Sequence, residues 1–155
     1  VVLLARKQKV PLSVLPVKWS AGYTAATLAA AGLLLSSAWM QGPSFVAAAG
    51  ILNSSVCTPF AEELIFRGYM WNRLKEQFDK DITVAIITVL LFALWHLGYA
   101  DVISGKVNGE NLAFIMMMKA AVGLCYGAVL GVARMKIKNA YASMLLHGVM
   151  NIFGR

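Results

Sequence analysis

Five long apolar runs separated by short polar connections organise this sequence: Trp19 to Met40, Phe45 to about Trp71, Ile82 to Tyr99, Asn111 to Ala133, and Asn139 to the end. A helix rises about 1.5 Å per residue, so some 20 apolar residues cross the hydrocarbon of a bilayer. The pattern predicts an all-α, polytopic transmembrane bundle of about five spanning helices. Residues 1–18, with Arg6, Lys7, Lys9 and Lys18 around Pro11 and Pro16, read as a basic lead-in ahead of a membrane domain at 19–155. Pro59 interrupts the second run and removes a backbone donor there, so freed carbonyls must be covered or must line a cavity. In the fourth run Gly123, Gly127 and Gly131 form two overlapping G-x-x-x-G units, a seam along which another helix can approach closely.

Composition supports the membrane reading. The 155 residues are 59% hydrophobic and the mean hydropathy is +0.69, too apolar for an ordinary soluble domain. The net charge of +7 does not point to nucleic acid, because the basic residues sit in the connections between runs. Of the 14 Lys and Arg, 11 fall on one side of the expected bundle, which predicts a multi-pass protein with a cytoplasmic N-terminus and an external loop from Asp101 to Glu110. Cys57 and Cys125 form no C-x-x-C pair and are expected in the core. The first run is long for the apolar region of a signal peptide. Beginning at Val1, the chain is expected to be a piece of a longer protein. Lys119 is expected to snorkel to the outer interface, and Ser143 to donate to a carbonyl.

Against this apolar background three polar clusters stand out: Glu62-Glu63 with Arg67, then His96, then His147 with Asn151. A charge at the centre of a spanning helix costs roughly 2.5–3.5 kcal/mol on insertion scales, so such groups need partners or a working site. Measured from the expected cytoplasmic helix ends, Glu62 lies roughly 17–20 Å deep, His96 roughly 21 Å, His147 roughly 12 Å and Asn151 roughly 18 Å. They converge near the midplane. Residues four apart share a helix face, so Glu63 is expected to pair with Arg67 while His147 and Asn151 point into one space. Glu62 is rotated about 100° from Glu63 and is left for chemistry.

Two chemistries fit a carboxylate and two imidazoles around a cavity. Glu62, His96 and His147 could hold a hydrolytic zinc with water in the open position. Without metal, Glu62 and His96 could draw a proton from water while His147 and Asn151 hold the oxyanion. The sequence contains no H-E-x-x-H, no G-x-S-x-G and no phosphate-binding glycine loop. A proton or ion pathway is a further possibility on charge grounds, but no inverted pair of broken helices accompanies it.

The segments Glu62-Glu63-Leu-Ile-Phe-Arg67-Gly68, Phe92-Ala-Leu-Trp-His96 and His147-Gly-Val-Met-Asn151 resemble the E-E-x-x-x-R, F-x-x-x-H and H-x-x-x-N/B motifs of the CPBP family, in order and over roughly residues 45–155. That family takes in type II CAAX prenyl endopeptidases, Abi proteins and bacteriocin-processing or immunity proteins. The resemblance implies an intramembrane endopeptidase acting on membrane-tethered, including prenylated, substrates. In it Glu62 is the essential acid, His96 and His147 activate water or bind metal, and Asn151 stabilises the oxyanion. Glu63, Arg67 and Phe92 would support the site. The alternative within the same resemblance is a non-proteolytic Abi-type scaffold that binds another membrane protein.

Overall fold

The computed structural model describes residues 1–42, 44–105 and 111–154, and among them every regular element is helical. A short helix α1 (Val2–Gln8) precedes α2 (Ala21–Met40). The second run is helical throughout but changes register twice. It passes from α3 (Phe45–Leu52) through a π-helical segment (Asn53–Cys57) into α4 (Thr58–Glu63), then through a second π-helical segment (Leu64–Met70) into α5 (Trp71–Lys75). It is followed by α6 (Asp81–Trp95), a 3₁₀ turn (His96–Tyr99), α7 (Ala100–Ser104), α8 (Leu112–Ile137) and α9 (Ala140–Phe153). Residues 106–110 of the loop expected outside, Pro43 and Arg155 lie outside the described residues.

Three of these helical stretches are long and apolar enough to cross a membrane: Ala21–Met40, Asp81–Gly98 and Leu112–Ile137. The expected count of about five spans is therefore not confirmed. The fifth run forms only the 14-residue α9, about 21 Å long, and the second is divided among short α and π pieces. Apolar length in the sequence did not reveal these register changes.

The G-x-x-x-G seam is where two of the long helices meet. It packs α8 on α6 so closely that a Cβ at Gly123 would sit 3.2 Å from Ala93 Cα, and one at Gly127 3.3 Å from Val89 Cγ1. In a bilayer lipid tails are as apolar as leucine, so this close packing of small residues, rather than escape from water, favours helix association. Apolar character therefore does not mark the interior. Cys57 and Cys125, expected in the core, are both exposed.

The lead-in is tied to the bundle. Its Ser13 and Val14 carbonyls accept from the backbone N–H groups of Ala140 and Tyr141 at 3.0 and 2.9 Å, satisfying donors that the first turn of α9 cannot satisfy itself. Asn139 caps the same helix, its Oδ1 accepting from the Ala142 N–H at 3.1 Å. Near this end Asp81 of α6 pairs with Lys75 at 3.0 Å and with Lys138.

Candidate active site

The site begins with the two register changes in the second run. At the first, the Thr58 N–H reaches back to Asn53 O, an i→i−5 bond. The next donor in that register would be Pro59, which has no N–H, so the Ser54 carbonyl is released. Asn151 of α9 collects it, Nδ2 donating to Ser54 O at 2.8 Å. The helices touch here because residue 148 is glycine: a Cβ would stand 2.5 Å from Ser55 O. Gly148→Ala is expected to push α9 away and break the Asn151 contact, destabilising the fold by about 1–3 kcal/mol, as overpacking does. Thermal unfolding in detergent checks this.

The second register change serves the other flank. The Trp71 N–H bonds to Gly68 O and Phe66 O and bypasses the Arg67 carbonyl, which accepts instead from Arg134 Nε of α8 at 2.9 Å. Arg134, counted above among the charges of a connection, is buried within α8 and also donates to Asn72 Oδ1 at 3.1 Å.

Between these two points lies a buried polar chain. Arg67 donates through Nη1 to Glu63 Oε1 at 2.9 Å, both side chains being fully buried, and through Nη2 to Gly127 O at 3.1 Å. That carbonyl is within reach because the seam residue carries no side chain. Glu63 Oε1 also lies 3.0 Å from His147 Nδ1. A carboxylate only accepts, so Nδ1 carries the proton. Phe92, fully buried, is the platform beneath: its ring meets Phe66, His96 and His147 edge-on at 5.1, 4.8 and 5.8 Å, with the Arg67 guanidinium 4.5 Å from its centroid. Such a cation over a ring is attracted by its quadrupole.

Glu62 faces away from this pair. Together with His96, His147 and Asn151 it lines one cavity of about 490 Å³, so the groups expected to meet at one depth do share a space. Glu62 is buried, its Oε1 accepts from Trp95 Nε1 at 3.3 Å, and its Oε2 is 3.8 Å from His147 Nε2. His96 Nδ1 is 2.8 Å from Phe92 O. A carbonyl only accepts, so here too Nδ1 is the protonated nitrogen. In the neutral form Nε2 of each histidine then carries the lone pair. A separate cavity of about 540 Å³, between α2, α8 and α9, is lined by apolar and small residues, with Tyr23 as the one titratable group among the described residues lining it; it offers no comparable chemistry.

Among the described residues no three His, Cys, Asp or Glu side chains are grouped to hold a metal ion. Three residues were not singled out by the sequence. Trp95, next to His96, holds Glu62. Tyr126 lines the cavity with its ring 6.1 Å from His147, and it follows the seam glycine Gly123 by three residues, a spacing that could have flagged it. Thr58, just before Pro59, lines the cavity as well. Lys119, expected at the interface, faces the same cavity. Ser143, expected to donate to a carbonyl, is buried with no hydrogen-bond partner for Oγ among the described residues.

Searches of the curated proteins and of the solved structures return no match. A family model described as type II CAAX prenyl endopeptidase Rce1-like matches residues 42–153, more than half of the chain and a span that contains all four cavity groups. The chain therefore belongs to the Rce1-like type II CAAX prenyl endopeptidase family.

Proposed function

We propose that this chain is an intramembrane endopeptidase that hydrolyses membrane-tethered peptides, CAAX-type prenylated ones among them, with Glu62 and His96 activating water and no metal required. The observation that carries the reading is the convergence of Glu62, His96, His147 and Asn151 from three helical stretches on one cavity.

In the proposed reaction a water sits between the Glu62 carboxylate and His96 Nε2. Both are acceptors, and they orient its lone pair toward the scissile carbonyl. As the O–C bond forms, Glu62 takes the proton, and it returns that proton to the leaving amine as the C–N bond breaks. Charge on the carbonyl oxygen is met by Asn151, one of whose two amide N–H groups goes to Ser54 O while the other serves the oxyanion. His147 can donate from Nε2 only as imidazolium, since its Nδ1 proton is engaged by Glu63. Glu63, Arg67 and Phe92 hold His147 in place. The N-terminus is proposed to face the cytoplasm, with the peptide substrate and the bilayer as partners.

The test is cleavage of a panel of fluorogenic membrane peptides, prenylated and not, by detergent-purified protein with and without a zinc chelator. Cleavage that survives the chelator is expected. Loss of cleavage under chelation, restored by zinc, would overturn the metal-free mechanism. No cleavage of any peptide would favour a binding role over a peptidase.

A further inference from the structure

We infer that Lys119 is a specificity-determining residue that binds a carboxylate of the substrate a few residues from the scissile bond; this rests on the peptidase reading of the cavity. Ile115, Met118, Lys119, Val122 and Tyr126 all line the cavity, and their spacing places them on one face of α8. Lys119 is the one cationic side chain among the described residues lining this space. None of the ion pairs among the described residues includes it.

Its distance from the chemistry follows from the helix. Gly123 abuts the His96 ring, where a Cβ would lie 3.1 Å from Nδ1, and Tyr126 stands beside His147. Lys119 is about 6 Å along the axis from the first and about 10 Å from the second. An extended peptide advances about 3.3 Å per residue. A substrate lying along α8 with its scissile carbonyl at Glu62 therefore brings a group a few residues away to the ammonium.

The rest of the α8 lining is apolar except Tyr126, so a peptide backbone finds few polar contacts there. An anion at this point meets a point charge on a flexible stem, with no other polar side chain along this face of α8 but Tyr126. A carboxylate could come from the chain terminus or from an Asp or Glu side chain, and the test separates them.

Three membrane peptides of one sequence are compared: a C-terminal acid, its carboxamide, and the carboxamide with a Glu near its end. The wild type is expected to favour a carboxylate-bearing peptide over the plain carboxamide by about 10- to 100-fold in kcat/KM, mainly through KM, the worth of a charge-assisted hydrogen bond. The better of the two acidic peptides identifies the source. Lys119→Gln should bring the ratio close to one, and Lys119→Arg should retain most of it. Equal use of all three by the wild type, or a preference that survives Lys119→Gln, would overturn the assignment. If no peptide is cleaved, binding of the same three to the Glu62→Gln protein, read by fluorescence anisotropy, separates the two ideas. A carboxylate preference lost on adding Lys119→Gln upholds Lys119 while the peptidase reading fails, and binding without preference removes Lys119 as well.

Discussion

Glu62→Gln is expected to lower cleavage by about 10²- to 10⁴-fold, the usual contribution of a general acid–base group, while leaving the protein folded. The substitution keeps the size of the side chain and an oxygen that can accept from Trp95 Nε1. It removes the carboxylate that takes a proton from water. Each tenfold loss corresponds to about 1.4 kcal/mol in the barrier. Stability should change little, because the arginine that neutralises the buried acidic pair bonds to Glu63 and not to Glu62. Cleavage assays beside thermal unfolding of the same preparations check both halves, and a variant that cleaves at the wild-type rate would remove Glu62 from the chemistry.

Arg67→Met should have the opposite profile, with a loss of about 3–5 kcal/mol in stability, the scale seen when one partner of a buried ion pair is removed. Two partners lose a donor: Glu63 Oε1 and Gly127 O. The remaining carboxylate is fully buried beside His147, so its charge has no route to water. Replacing both members, Glu63→Met with Arg67→Met, should be less damaging than the sum of the two single changes. The coupling expected for residues in direct contact is about 0.5–3 kcal/mol. Unfolding midpoints in a mild detergent for the two single variants and the double variant would show it. Additivity would mean that the pair does not act as a unit.

Much of this arrangement was legible in the sequence because the membrane sharpens the signal of a polar group. The Glu63–Arg67 spacing, the shared face of His147 and Asn151, and the glycine seam all follow from helical periodicity, and the structure places each of these groups in contact or around one cavity. Pro59 marked the place where backbone would be released. What it could not convey was the register change that directs the freed Ser54 carbonyl to Asn151, nor the second π segment, which no proline announces. The second of these makes Arg134 a buried clamp, although its position at the end of an apolar run looked like that of a topology charge. Cys57 and Cys125 were misread because hydrophobicity separates inside from outside only when the solvent is water. Lys119 was read by its nearness to a helix end. Which face it occupies depends on the rotation of α8, and the seam glycines packed on α6 set that rotation.

The most direct test is reconstitution of the wild type and Glu62→Gln in proteoliposomes with one membrane-anchored peptide, followed by mass spectrometry of the products. A single new cleavage position made by the wild type and absent with Glu62→Gln is the expected result. The same product from both proteins at equal rate, with both folded, would contradict hydrolysis by a Glu62-activated water.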